Sequence, residues 1–326
     1  MGTKLYNPFL DFHFDNKTCF LSGKALTSDS ERLQVFPEWM MDAYGLRDQP
    51  FKMLDESMKT YGELVLPCST EVLEKWSPLE ERVQQAVSKG YAGMIELDRL
   101  DLFQWIAKML YGVVFQEIQA GIRQAFMTGE ELNFSQALVQ KFRNLHAMLQ
   151  SIIVPMEFEH QSPFSLQLFP VDNAPDCFMY RDEINTLIYS LRMGDFALIA
   201  TLQDNGTHAI YHEEVLNQVS GKRLHPIQFE EICARYFYSA YLFNRLPEYT
   251  YMEVPGKVYV EPMPLNDWTM KPIFDNWQVK TYGQVLENFW KPWGFTLFEI
   301  IKDPENPMSF IVGPDGHFLE KIDLEK

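Results

Sequence analysis

From Arg99 onward, apolar side chains recur at spacings of three and four: Leu102, Phe103, Ile106, Met109, Leu110, Val113 and Val114. A stripe with that period fits one face of an α-helix packed against a core, and a strand cannot use it. Residues 134–153 repeat the theme through Leu138, Phe142, Leu145 and Leu149, with Ser135 near the start, and residues 227–246 give a third apolar helix closed by Pro247. Elsewhere the period changes. Residues 164–169 alternate, 186–191 are β-rich, and 196–202 and 207–211 flank Asp204-Asn205-Gly206. Asn-Gly accepts positive φ, so that tripeptide predicts a tight hairpin. Val258–Val260 predicts a short strand, residues 262–272 a proline-rich loop, and 282–290 a helix. Residues 295–301, 308–312 and 318–322 predict a strand meander turning at 304–307 and 313–316.

The N-terminal quarter is read from punctuation. Residues 5–20 are aromatic-rich and predict an extended stretch ending in a turn at Leu21-Ser22-Gly23-Lys24. Pro37 suits the start of a short helix over 38–44. Pro67-Cys68-Ser69-Thr70 opens another, with Ser69 or Thr70 as N-cap. Ser77-Pro78, with Glu80 and Glu81 following, predicts a separate helix that stops at Lys89-Gly90.

Two stretches belong together. The first is Cys19-Phe20-Leu21-Ser22-Gly23-Lys24 followed by Glu31-Arg32-Leu33-Gln34-Val35-Phe36-Pro37-Glu38-Trp39-Met40; the second is Leu66-Pro67-Cys68-Ser69-Thr70-Glu71 leading into Leu79–Val83. This order resembles the HNH, or ββα-metal, nuclease superfamily. There a Cys-x-x-Cys-Gly knuckle precedes a Glu-His-apolar-Phe-Pro-x-Trp-Leu segment, and a second Cys-x-x-Cys-Asn knuckle enters a Leu-Glu helix. The resemblance covers about residues 15–115.

In that family two knuckles hold a structural zinc through four thiolates, and the histidine activates water beside a second metal. Here Cys19 and Cys68 keep one ligand from each knuckle, Ser22 and Glu71 stand at the partner positions, and Gln34 stands at the histidine. A glutamine takes up no proton near neutral pH, so the base is missing. The five positions Cys19, Ser22, Gln34, Cys68 and Glu71 are expected to be vestiges of a site, with no catalytic residue, no metal and no cofactor. The weak alternative is zinc on Cys19, Cys68 and Glu71 with His13 as fourth donor. Otherwise the two cysteines are small buried side chains facing each other. The fold class expected is α+β: an N-terminal knuckle-like ββα module over residues 1–99, then over 100–326 a central helical bundle packed on antiparallel strands and a C-terminal strand meander, the two regions forming either separate domains or one continuous domain.

Charge and the remaining candidates narrow the function. With 28 basic and 45 acidic residues the formal net charge is −17, which repels a phosphate backbone. No signal-like N-terminus or membrane-length apolar run is present. Four scattered cysteines make no disulfide framework, so the cytoplasm is the expected compartment. His208 and His212, read on a strand, would lie about 13 Å apart and be surface residues. Glu157 and Glu159 would share one face of a solvated strand edge, and His146 borders an apolar stripe. Trp268, Trp277, Trp290 and Trp293, with Phe274 and Phe289, form either a core layer or a stacking surface. The expected function is a non-catalytic binding or interaction protein on a nuclease-derived scaffold, with a protein or small molecule as partner, nucleic acid disfavoured and no membrane. The alternatives are a residual metal-dependent nuclease with an altered site, and an unrelated small-molecule enzyme or binding protein.

Overall fold

The computed structural model describes residues 4–28, 32–129, 134–174, 176–265, 271–304 and 306–324. Glu31 and Trp268 lie outside them. The fold is mixed α+β and divides into two compact units, residues 1–161 with 246–263, and residues 162–245 with 264–326.

In the first unit β1 (Arg32–Gln34) pairs antiparallel with β4 (Val65–Pro67), Leu33 facing Leu66. Between them lie α1 (Glu38–Ala43) and the hairpin of β2 (Pro50–Lys52) and β3 (Met58–Thr60). Then come α2 (Thr70–Ser88), α3 (Tyr91–Met94), α4 (Arg99–Thr128), α5 (Gln136–Leu149) and β5 (Met156–Phe158). Two helices were expected where α2 runs unbroken through Pro78. Its buried positions Val72, Trp76, Leu79, Val83 and Ala86 stay in phase across the proline, so packing of one continuous face overrides the missing N–H. Ser77, expected to cap, instead donates its hydroxyl to the Leu73 carbonyl at 3.0 Å. Residues 5–20 are not extended: among the described residues they turn at 8–12, burying Phe9 and Phe14, and their one β-bridge is Thr18–Ala25.

Every residue of α4 from Leu102 to Gln116 is buried, so this helix is packed all round rather than along one stripe. It contacts α2, α5 and β4, and for that reason the unit boundary falls after Gln161 and not near residue 99. Gly112 lets α4 approach the end of β1 closely: a Cβ there would lie 2.5 and 2.6 Å from the two Val35 methyls. Gly112→Ala is therefore expected to destabilise the protein by roughly 1–3 kcal/mol, as overpacking does. An unchanged urea midpoint would show that this approach is not tight.

The second unit is built on a four-stranded antiparallel sheet ordered β6 (Ser165–Pro170), β9 (Phe196–Thr201), β8 (Ile188–Met193), β7 (Phe178–Glu183). Both central strands, β8 and β9, are buried along their whole length. After β9 the chain forms α6 (Thr207–Tyr211), α7 (Glu213–Val219) and α8 (Pro226–Leu242). The expected hairpin at Asp204-Asn205-Gly206 is a strand-to-helix turn. Asn205 and Gly206 do take positive φ (50° and 75°), but the Asp204 carboxylate accepts the Gly206 and His208 N–H groups at 3.2 and 2.8 Å and starts a helix. The chain then returns to the first unit as the hairpin β10 (Tyr249–Val254) and β11 (Lys257–Pro262), where β11 pairs parallel with β5.

Finally α9 (Val279–Trp290) packs on α8, and α10 (Leu297–Ile300) on α9. The C-terminal meander expected from the sequence does not form among the described residues. Thr296 and Glu299 make a capping box that turns residues 297–300 helical. Farther on, side chains of α8 occupy the backbone: Glu231 accepts the Phe310 N–H at 2.7 Å, and Gln228 donates to the Phe310 and Leu319 carbonyls at 2.8 and 2.9 Å. Only the single Val312–Phe318 bridge remains of the ladder. Of the tryptophans, Trp290 is fully buried in the core and Trp277 and Trp293 pack against it, which is the core reading. No helix among the described residues is long and apolar enough to cross a membrane.

Candidate functional site

Residues 18–25 form a tight turn. Cys19 N–H donates to the Lys24 carbonyl (2.8 Å) and Gly23 N–H to the Cys19 carbonyl (3.0 Å). Gly23 sits at φ +70°, and a Cβ there would lie 2.4 Å from the Tyr6 ring, so no other residue fits without a shift. The Phe20 N–H reaches the Pro67 carbonyl at the end of β4 (2.7 Å), which brings this turn against Cys68 and the first turn of α2.

Cys19 and Cys68 are both fully buried and face each other. The hydrogen bond from Cys68 lowers Cys19 to about 4 against a burial effect that pushes it up; the Ser22 hydroxyl and backbone N–H groups of Ser69 and Ser22 add to the lowering. The Ser69 hydroxyl also lies 3.6 Å from Cys19 Sγ. Serines thus take up the space around the Cys19 sulfur. Glu71 is exposed and paired with Lys24, which holds its carboxyl below the usual range. His13 is exposed too, bonded to Thr18 (2.9 Å) and Asp15 (3.1 Å). Two thiols, hydroxyls and a carboxylate already neutralised by an ammonium do not fit a tetrahedral zinc. Among the described residues no three His, Cys, Asp or Glu side chains converge.

Gln34 lies in a cleft of about 420 Å³ between the β1–α1 segment and α2, with Trp39, Trp76, Pro37 and Leu73 in its walls. At its floor stands Lys108, fully buried on α4. Its ammonium donates to Glu80 (2.6 Å) and to the Gln34 carbonyl (3.0 Å) and sits 5.8 Å from the centre of the Trp76 ring. Glu80 also accepts the Trp76 indole N–H at 3.1 Å. Two buried polar atoms at this cleft have no hydrogen-bond partner among the described residues: the Gln34 amide oxygen and the Trp39 indole nitrogen. An ammonium held by a carboxylate and a carbonyl is a fixed donor. The chemistry on offer is hydrogen bonding beside aromatic walls, since neither Gln34 nor either indole exchanges a proton near neutral pH.

Sequence reasoning named Gln34 but missed Lys108, Glu80 and the two indoles beside it. The signal was present: Lys108 is the only charged residue between Asp101 and Glu117, and a lone cation inside an apolar helix is paired or functional.

The other candidates have structural partners. His208 and His212 are buried on α6 and at its end, not on a strand surface. His208 Nδ1 lies 3.1 Å from Asp204, which also accepts the Ser165 hydroxyl at 2.6 Å, and His212 Nε2 lies 2.9 Å from the Ser239 hydroxyl. Burial pushes Asp204 up, but His208 and Ser165 hold it below its usual range. Glu157 is engaged by Lys257 on the neighbouring strand, and the Glu159 N–H by the Val260 carbonyl at 2.9 Å. No family model, no curated protein and no solved structure matches this chain.

Proposed function

We propose that the protein is a non-catalytic, cytoplasmic binding protein whose first unit keeps the outline of an HNH-type nuclease scaffold. In this reading the cleft beside Gln34 takes an amide-bearing small molecule or a peptide segment of a protein partner. The observation that carries it is the pair of buried, unpartnered atoms, the Gln34 oxygen and the Trp39 N–H. A buried acceptor and donor without partners cost stability, and they are complementary to the N–H and C=O of an amide. Trp39 and Trp76 supply apolar faces for the ligand's body. The Lys108–Glu80 pair supports the same reading, because it occupies the floor where an acid or base would have to act.

Two measurements test this. Gln34→Leu is expected to leave the free protein as stable as the parent or up to about 1 kcal/mol more stable, because an orphaned buried acceptor is removed. A loss beyond that would mean the amide is satisfied internally. In parallel, the parent protein with Mg²⁺, Mn²⁺ or Zn²⁺ is expected to leave single- and double-stranded DNA and RNA intact. Cleavage that disappears in Gln34→Ala would replace the binding reading by the altered-nuclease one.

A further inference from the structure

Cys19 and Cys68 meet where two stretches of backbone cross. The Phe20 N–H donates to the Pro67 carbonyl at 2.7 Å, and Cys19 and Cys68 stand one residue to the side of that bond on their respective stretches. The Cys19 sulfur meets both Cys68 and Ser69, so the two stretches run in opposite directions. In an antiparallel crossing the pair beside a hydrogen-bonded pair is the closer one, with Cα atoms about 4.5 Å apart. A disulfide spans Cα separations of about 4.4–6.8 Å, so this register suits one without movement of the backbone.

The two sulfurs differ in what surrounds them. The Cys68 thiol donates to Cys19 and has the Ser69 carbonyl at 3.7 Å as a second acceptor. Cys19 receives that bond together with donors from Ser22 and Ser69, which outweigh burial and bring it to about 4. Cys19 is therefore the attacking sulfur and Cys68 the one that resolves it. Burial pushes the thiols of Cys177 and Cys233 up instead. Both sulfurs of the pair are buried, but Ser22, whose hydroxyl touches Cys19, is only half-buried and Lys24 beyond it is exposed. Cys19 thus lies one side chain beneath the surface, within reach of an oxidant hardly larger than water.

We infer that Cys19 and Cys68 form a peroxide-responsive dithiol, which closes reversibly to a disulfide tying the turn at 18–25 to the start of α2. The Cys19 thiolate attacks one oxygen of hydrogen peroxide; the O–O bond breaks, Cys19 becomes a sulfenic acid and hydroxide leaves. The Cys68 sulfur then attacks the Cys19 sulfur, and its proton leaves with the hydroxyl as water. The first hydroxide takes up the proton that Cys19 gave to solvent. Two thiols thus lose two electrons, and one peroxide becomes two waters. In a reducing compartment such a bond is transient and serves sensing, and a thiol reverses it by exchange. The pair is separate from the cleft at Gln34, so either assignment can fail without the other.

Treatment of the metal-free full chain with equimolar hydrogen peroxide, followed by alkylation and peptide mapping, tests it. The product is expected to be lighter by two hydrogen atoms, with Cys19 and Cys68 in one disulfide and Cys177 and Cys233 alkylated. Dithiothreitol is expected to restore all four thiols. In urea, where nothing holds the pair together, the same link is expected to form at least about tenfold more slowly. Cys68→Ser keeps a hydroxyl donor beside Cys19 and is expected to stop at the sulfenic acid, trapped by dimedone on Cys19. In Cys19→Ser no dimedone adduct is expected on Cys68. Free Cys19 and Cys68 in the peroxide-treated folded parent would overturn the assignment. So would a link to Cys177 or Cys233 in their place, or a Cys19–Cys68 link that forms as fast in urea.

Discussion

The double variant Ser22→Cys, Glu71→Cys is expected to purify with one zinc ion per chain, and to melt at a higher temperature than the parent. The parent knuckle already positions Cys19 and Cys68 face to face, with Ser22 at the end of the turn and Glu71 in the first turn of α2. Replacing the hydroxyl and the carboxylate by thiols completes a four-sulfur set at the spacing Cys-x-x-Cys in both places. The energy at stake is large. Structural zinc sites in small domains are worth on the order of 10 kcal/mol of apparent binding free energy at neutral pH. The losses are the Ser22 hydroxyl's hydrogen bond to Cys19, which metal ligation would replace, and the exposed Lys24–Glu71 pair, and exposed pairs contribute little. Metal analysis after dialysis, with Ser22→Cys and Glu71→Cys singly as controls, reads the result. A folded double variant carrying no more zinc than the parent would show that the two turns are not set as a metal knuckle, and would count against the resemblance.

A second large effect is expected with pH. His146 and His212 are buried and neutral, and their pKa values lie at about 4 and about 3 because burial disfavours the charged ring. His208 and Arg235 lower His212 further. The tautomer of His146 follows from its neighbours. The Gln150 side chain donates to the Tyr6 carbonyl and accepts the Tyr6 N–H, both at 2.9 Å, so its NH₂ group is the one 3.4 Å from His146 Nδ1. Nδ1 is therefore the acceptor, and Nε2 carries the proton given to the Phe20 carbonyl at 2.7 Å. A second proton on Nδ1 would face an N–H donor.

Both folded pKa values lie below the unfolded value of about 6.5, so the unfolded chain binds more protons between them. Full stability holds above about pH 6.5 and is lost as pH falls toward 4 and 3. The upper bounds are on the order of 3 kcal/mol for His146 and 5 kcal/mol for His212. Glu230 works in the opposite direction, since burial raises its carboxyl despite Arg181 and Arg192, and offsets part of the loss. Urea midpoints are expected to fall steeply between pH 7 and 4.5, and less steeply in His146→Gln. A flat profile, or the same slope in the variant, would mean that neither ring is held neutral.

How much of this was legible depended on which group decides each local structure. That α4 is a helix is set by spacing, which a sequence displays directly, but its burial on every face is not; the facing of Cys19 and Cys68 was one of two expectations for the paired turns and depends on the Phe20–Pro67 contact. The turn at Asp204 was misread because Asn-Gly signals positive φ in hairpins and in helix entries alike, and the Asp204 carboxylate decides between them. Residues 308–322 have strand composition, but their backbone partners are Glu231 and Gln228, some 80 positions earlier. A local window contains no such information. The cleft at Gln34 was half visible: its glutamine was named, while Lys108 and Glu80 meet only after α2 and α4 pack.

The return of residues 246–263 bears on how the chain matures. Strand β5 is complete at Phe158, yet its sheet partner β11 begins at Lys257, after the whole sheet of the second unit has been made. During synthesis an open β-edge must wait through about a hundred residues of translation. The first unit cannot close until residues 246–263 have followed the sheet of the second, and an N-terminal fragment cut at residue 161 would carry that edge permanently, inviting self-association.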